Sequence, residues 1–337
     1  VSSDTSSQPN KILVRTPNWL GDLMMSTAFV DALLNQFPDA TVDLIVKRGF
    51  EELPLPCRGT ILGFDKRKDN FFEFAKKLKS HDYDRAYVLP PSFSSALMIF
   101  LAKIPERYGL RNPFRNFLLN PSVKLDQKSR TNHLVREYLT LLKNGETPKD
   151  YLPSLKIRPP WAHQQLKNLE STLPKDYIVF TPGAIYGPAK QWPVEYFSEL
   201  AKLLKHDGQQ ILVLGTKDDY PKGEAIKEGL DYVVNLCGMT SLCELVAILS
   251  KSRLLVSNDS GAMHITAAMQ RPQIAIFGST SNVWTIPLNP KAITLHLGLK
   301  CSPCYKRVCR YGHYDCLKKI TPQDVYKQIT LLNINEA

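Results

Sequence analysis

Short apolar runs alternate with helical stripes along most of the chain. Lys11-Ile-Leu-Val-Arg-Thr16 reads as a strand and Pro17-Asn-Trp-Leu-Gly21 as a turn. Residues 22–36 then have helical spacing, with Leu23, Thr27, Val30, Leu33 and Leu34 on one stripe. Residues 41–46 and 84–89 read as further strands, 93–102 as a helix and 132–143 as a longer helix. The alternation fails between 144 and 160, where NGETPKDYLPSLKIRPP carries four prolines and little periodicity, as an interdomain linker does. It then restarts. Residues 177–181, 210–215, 254–258 and 273–277 read as strands, and 193–206, 241–250 and 260–270 as helices. Alternation of this kind predicts parallel sheets with helices on both faces.

Two alternating halves imply two Rossmann-like α/β domains whose sheets face a central cleft. The expected boundaries are a floppy tail at 1–10, a first domain at 11–150, a linker at 151–172 and a second domain at 173–320. A last helix at 321–337 is expected to pack back on the first domain. Ligands in such folds sit in the turns at the carboxyl ends of the strands.

Composition adds limits. The 337 residues suffice for two cores, and 43% of them are hydrophobic. No apolar run reaches the ~20 residues of a membrane span. The opening VSSDTSSQPN lacks the cationic start and apolar stretch of a secretion signal. A cytoplasmic protein is expected. The net charge of +11 is unevenly spread. Lys103, Arg107, Arg111, Arg115, Lys124, Lys128, Arg130 and Arg136 fall close together against Glu106 and Asp126. A second basic stretch runs from 300 to 319. Such patches suit nucleic acid, an anionic membrane surface or a phosphorylated substrate, or are simply solvated faces. No nucleic-acid module is recognisable, so nucleic acid is not an expected partner.

Four turns hold candidate chemistry. The first, Thr16-Pro-Asn-Trp-Leu-Gly-Asp22, lacks the GxGxxG spacing of a dinucleotide site. Asp22 there is either a helix N-cap or a carboxylate able to act as general base. The second, Thr181-Pro-Gly-Ala-Ile-Tyr-Gly-Pro-Ala-Lys-Gln-Trp-Pro193, is a Gly/Pro-rich loop. Its Lys190 either meets a phosphate or is solvated. The third is Asn258-Asp-Ser-Gly-Ala-Met-His264. Free N–H groups at a helix start make an anion site, and Gly261 removes the side chain that would block it. Ser260 as a simple cap and His264 as a hydrogen-bonded helix residue are the plain alternatives. The fourth is Cys301-x2-Cys304-x4-Cys309-x6-Cys316, with His313 as a rival ligand. It reads as a structural zinc site or as reduced thiols in a tight loop, the second pair not being spaced like a knuckle. Cys57, Cys237 and Cys243 read as scattered reduced thiols.

The run Arg15-Thr-Pro-Asn-Trp-Leu-Gly-Asp-Leu-Met-Met-Ser26 resembles the amino-terminal motif of the ADP-heptose:lipopolysaccharide heptosyltransferases, in the form of the branch that adds the second heptose. Pro182-Gly-Ala with Gly187-Pro-Ala-Lys-Gln-Trp-Pro193 is similar to that family's second block. Asn258 to His264, followed by Arg271-Pro272, is similar to its third. Three motifs in order, over about residues 11 to 330, favour the functional readings.

The resemblance implies a GT-B fold and transfer with inversion. ADP-L-glycero-D-manno-heptose is the implied donor, and the first heptose of the Kdo–lipid A inner core the implied acceptor. It implies Asp22 as base and Lys190 as the cation that neutralises the leaving ADP. Thr181, Gly183, Lys190, Asp259, Ser260, Gly261, Met263 and His264 are the implied donor residues, and Asn18, Trp19, Arg111 and Arg115 face the acceptor. No cofactor is required by motif; magnesium on the donor diphosphate is compatible with it. In some relatives an acidic residue after the glycine ending the second domain's second strand holds the ribose. Here Gly215-Thr216 is followed by Lys217, Asp218 and Asp219, and none is singled out. The lipid-anchored acceptor implies work at the inner face of the inner membrane, held by charge and not by insertion. Competing readings are a relative with another acceptor, a nucleotide-sugar 2-epimerase of the same architecture, and a basic nucleic-acid binder.

Overall fold

The computed structural model describes residues 8–125, 130–142, 151–169, 171, 173–205 and 207–332. The chain divides into two compact units, residues 1–156 and 157–337.

The first unit runs β1 (Lys11–Arg15), α1 (Leu20–Gln36), β2 (Thr41–Lys47), β3 (Ile61–Phe64), α2 (Phe71–Lys79), β4 (Arg85–Val88), α3 (Phe93–Leu101), β5 (Glu106–Leu110), β6 (Ser122–Val123) and α4 (Leu134–Leu139). Its six strands are all parallel, in the order β3-β2-β1-β4-β5-β6. Strands covered on both faces need continuous apolar runs, and Ile12, Leu13 and Val14 of β1 are all fully buried.

The second unit runs α5 (Pro159–Leu166), β7 (Ile178–Thr181), α6 (Val194–Lys205), β8 (Ile211–Val213), α7 (Tyr220–Lys227), β9 (Val233–Asn235), α8 (Leu242–Lys251), β10 (Leu254–Asn258), α9 (Gly261–Ala268), β11 (Gln273–Ile276), β12 (Ala292–Leu295), α10 (Asp315–Lys318) and α11 (Pro322–Leu331). Its sheet, β12-β11-β10-β7-β8-β9, is also all parallel. Counted within each unit, both sheets have the doubly wound order 3-2-1-4-5-6. The strand order reverses between the first and fourth strands, where such folds bind ligands. The turns after β1, β7 and β10 all open at these switch points.

Three expectations change. The described part of the last helix belongs to the second unit: Val325 and Ile329 of α11, one turn apart, are buried in that unit's core, and α11 lies against α6 and β11. The expected linker is partly helical, because Pro159 and Pro160 start α5 at positions where a missing N–H costs nothing, and α5 packs on α8. The helix expected over 132–143 is only the six residues of α4. His133 caps it by accepting from Val135 N at 3.1 Å.

Candidate active site

In the first unit, the turn after β1 is held by its own arginine. Arg15 is buried and donates to Thr16 O at 2.6 Å and to Asn18 Oδ1 at 2.7 Å. Burial pulls its pKa down to about 10. Asn18 is thus tied into the turn, while Trp19 stands 62% exposed. The N-cap of α1 is Trp19, without a side-chain cap bond. Asp22 is therefore not the cap; it lies in the helix's first turn and is half-buried. The Tyr138 hydroxyl of α4 is near enough for Asp22 to act on it. Burial chiefly, then the charges of Asp22 and Glu137, push the Tyr138 pKa well up.

The two arginines expected at the acceptor part company. Arg111 is exposed. Arg115 is 1% exposed, and its guanidinium donates to Pro90 O and Leu110 O, stapling the loops after β4 and β5. Desolvation lowers its pKa to about 10. Arg115 is a buried clamp and does not present its charge to a ligand. Arg107 likewise spends its donors on Ile104 O and Leu118 O. Lys124, Arg130 and Arg136 are exposed, and Lys128 lies outside the described residues.

In the second unit, Asn258 at the end of β10 joins the two switch-point loops. Its Oδ1 accepts from Trp192 N at 2.9 Å and its Nδ2 donates to Pro182 O at 2.8 Å. Trp192 is fully buried and donates through Nε1 to Ile320 O at 2.8 Å. So pinned, the loop delivers Lys190 to Asp259: Nζ to Oδ2 is 2.5 Å, with side chains 14% and 4% exposed. Thr280 donates to the same Oδ2 at 2.6 Å. His264 Nε2 is 4.0 Å from Oδ1. Lys190 also lies over the Tyr186 ring, 4.9 Å from its centroid. Ser260, the N-cap of α9, makes no cap bond, and its buried Oγ and the buried Thr181 Oγ1 have no hydrogen-bond partner. Polar atoms are seldom buried unpaired unless a ligand or water completes them.

Lys190, Asp259, Ser260, Gly261, His264 and Thr181 are thus gathered at one switch point. Met263 joins them by its backbone alone, within the first turn of α9; its side chain is 0% exposed and packs with Ala275 and Phe277 as core. Gly183 allows close packing, since a Cβ there would meet the Asp219 carboxylate at 2.4 Å. Asp219 is itself engaged: it accepts from Thr216 N at 3.0 Å and Thr216 Oγ1 at 2.8 Å, and Lys222 Nζ lies at 2.7 Å. Lys217 and Asp218 are exposed at the end of β8. Sequence reading missed Asn258 as the hub and Thr280 as a partner of Asp259. Thr280 follows β11 in a Ser-Thr-Ser stretch with no motif spacing to mark it.

The four clustered cysteines, with His313 and Tyr311, line one small pocket beside Ala189 and Ser279. All are free thiols. Among the described residues no three His, Cys, Asp or Glu side chains are already drawn into metal-ligating positions. Burial first, then the neighbouring Cys301, Cys309 and Cys304, push the Cys316 thiol up to about 11. Burial also opposes ionisation of Cys309, yet backbone N–H groups of residues 311–314 outweigh it and lower its pKa.

The sequence and fold match known proteins. A family model described as glycosyltransferase family 9 (heptosyltransferase) matches residues 71–315. The chain belongs to that family. It is 32% identical to lipopolysaccharide heptosyltransferase 2 of Escherichia coli K12, over 97% of this chain and 99% of the relative. It is 34% identical to lipooligosaccharide heptosyltransferase 2 of Haemophilus influenzae, covering 85% and 88%. The solved E. coli ADP-heptose LPS heptosyltransferase II superposes with a TM-score of 0.83 at 31% identity, over 97% and 99% of the two chains. A member of glycosyltransferase family 9 is a glycosyltransferase with two parallel α/β domains, as both sheets here display.

Proposed function

We propose that this glycosyltransferase moves L-glycero-D-manno-heptose from ADP-heptose to the first heptose of the Kdo–lipid A inner core. The observation that carries the reading is the Lys190–Asp259 pair at the start of α9, flanked by the unpartnered Ser260 and Thr181 hydroxyls. Near-full-length similarity to proteins named heptosyltransferase 2 supports it. Asp22 takes the proton from the acceptor hydroxyl. The freed oxygen attacks the anomeric carbon from the side opposite the ADP. The bond from that carbon to the phosphate oxygen breaks, and its electron pair leaves with ADP. Lys190 and the N–H groups at the start of α9 meet the growing charge, where stabilisation is worth most. Magnesium bound to the donor diphosphate would add to this charge balance. The test is incubation with ADP-heptose and heptose-deficient core lipopolysaccharide, reading product mass. A gain of one heptose on the acceptor supports the reading; a free altered nucleotide sugar, or transfer only to another acceptor, overturns it.

The acceptor is lipid-anchored under this reading, and no helix among the described residues is long and apolar enough to cross a membrane. We therefore propose peripheral work at the anionic inner face of the inner membrane. Exposed Lys103, Arg111 and Lys124 supply charge, each worth about 1 kcal/mol near such a surface. Rings join them: Phe114 is 81% and Phe117 70% exposed, and Phe117 lies 6.3 Å from the Phe93 ring. Attraction by charge alone is thus too narrow an account. Co-sedimentation with anionic vesicles is expected to fall with salt, and to fall further in Phe114→Ser/Phe117→Ser. Equal binding to neutral vesicles at all salt concentrations would refute the role of charge.

A further inference from the structure

We propose that Cys301, Cys304, Cys309 and Cys316 hold one tetrahedral transition-metal ion, and that this metal knot is the wall against which the Lys190 loop rests. All four thiols, brought from a span of sixteen residues, line one cavity of about 20 Å³. That is room for roughly one water-sized occupant. Four cysteines lining a space of that size match the ligand number and type of closed structural zinc or iron sites. The thiols surround the space without yet converging on it. Protonated thiols have no reason to converge, and a change of one χ1 well swings a sulfur by roughly 3 Å, so ligation needs rotamer changes and not a new backbone path. His313 is the weaker candidate for a place in the tetrad, because its Nδ1 accepts from Asp315 N at 2.9 Å and its ring stacks on Tyr311.

The cysteine loop is bonded to the catalytic loop strand by strand. Ala189, next to Lys190, donates to Arg307 O at 3.0 Å and accepts from Ser279 N at 3.1 Å. Ser279 O in turn accepts from Cys304 N at 3.1 Å and Tyr305 N at 2.8 Å. Tyr186 donates to Tyr305 O at 2.6 Å. Gly187 lies so close that a Cβ would meet Arg307 O at 2.7 Å. Residues 301–314 form no helix or strand, α10 beginning only at Asp315, so little regular structure fixes them. A metal crosslink would do so, and would fix the height of Lys190 above α9. The class of metal is a thiophilic divalent ion. Zinc and ferrous iron share this chemistry, and the measurement separates them.

The test uses the full chain purified without an affinity tag. Elemental analysis by plasma mass spectrometry is expected to find close to one zinc or one iron per chain, and none in Cys304→Ser/Cys316→Ser. Because that variant can fail to fold, the wild-type chain is also stripped with a chelator and refilled with cobalt. Thiolate-to-cobalt charge-transfer bands saturating at one equivalent, with four of the seven thiols then protected from a disulfide reagent, support the site. Protein that is metal-free as isolated and takes up neither zinc nor cobalt overturns it, as does metal that persists in the double variant. The link to Lys190 rests on the proposed donor site and is read separately. Stripping is expected to weaken ADP binding by roughly 10- to 100-fold, as small displacements of a positioned group do. Unchanged ADP affinity after metal loss overturns the buttress while leaving the metal content as measured. A metal-loaded chain that binds no ADP speaks instead against the donor site.

Discussion

Replacing Lys190 with alanine removes a cation and strands a carboxylate in one step. Lys190 Nζ is 2.5 Å from Asp259 Oδ2, and the Asp259 side chain is 4% exposed. Removing one partner of a buried pair costs about 3–5 kcal/mol. Two features argue for the lower end. Lys190 is 14% exposed, so water can follow it out, and Thr280 still donates to Asp259 at 2.6 Å. A loss of about 3 kcal/mol corresponds to a fall in Tm of roughly 6–12 °C for a unit of this size. The ligand effect is separate. A charge-assisted hydrogen bond to phosphate contributes about 1.5–3 kcal/mol, or roughly 10- to 150-fold in Kd. The stranded carboxylate then repels the diphosphate as well, so the total is expected at about 100-fold or more. Adding Asp259→Asn removes the stranded charge. The double variant should regain most of the Tm but little of the affinity, since no cation has been restored. Calorimetric titration with ADP and thermal unfolding of both variants give the two readouts. An ADP affinity unchanged in Lys190→Ala would place the diphosphate elsewhere. A double variant no more stable than the single one would refute the stranded carboxylate.

Asp22→Asn is expected to abolish transfer with ADP affinity nearly intact, since under the proposed function the side chain serves the acceptor; near-normal turnover would refute its role as base. Arg115→Ala should lower Tm by roughly 6 °C or more, because two carbonyl partners lose a buried donor. Arg111→Ala should leave Tm unchanged and raise the KM for acceptor; the reverse pattern would refute the division between clamp and contact. Asp219 is held below the ordinary carboxylate range: burial opposes its ionisation, but Lys222 and Thr216 outweigh it. Its folded pKa is the depressed one, so its contribution is present above the unfolded value of about 4 and is lost as pH falls through the folded one. Asp219→Asn should flatten the acid limb of Tm against pH, and an unchanged limb would refute this.

The alternating apolar pattern was enough for the inner strands β1, β2, β4, β7, β8, β10 and β11, because strands buried on both faces must be apolar throughout; it missed inner β5, whose Glu106-Arg107-Tyr-Gly-Leu110 makes no apolar run, and the helices α2 and α7. It failed at the edges. Ile61–Phe64, Val233–Asn235 and Ala292–Leu295 are three or four residues long and lie near or at the sheet margins, too short to show a period. The last helix was legible as a helix but not as to its partner, because the apolar pair Val325 and Ile329 carries no address. The motifs marked the turns whose residues the structure gathers in the second unit, Lys190 with Asp259, Ser260 and His264. The site was misread where burial decides. Arg115 and Met263 stand inside motif-rich stretches, yet one clamps loops and the other fills core. No sequence period tells an exposed arginine from one whose guanidinium meets the carbonyls of two other residues, as Arg115 meets Pro90 O and Leu110 O.

A carboxylate beside an anion site looks at first like an error, and its partners explain it. Alone, Asp259 would repel a diphosphate. Paired with Lys190 and Thr280 it holds a long, flexible lysine in one rotamer before any ligand arrives. A lysine side chain fixed in this way loses about 1.5–2 kcal/mol of rotamer freedom on folding, not on binding. The N–H groups at the start of α9 supply a second source of positive potential that needs no side chain at all. Under the proposed reading, the diphosphate then meets a cation already aimed and a helix start already open, and the charge that develops as ADP leaves falls on groups that need not move to receive it. Thr280→Val would test this order of events. It should leave the pair's charges intact but loosen the carboxylate, lowering kcat more than it raises the KM for donor. An equal effect on both would mean that Thr280 acts only through binding.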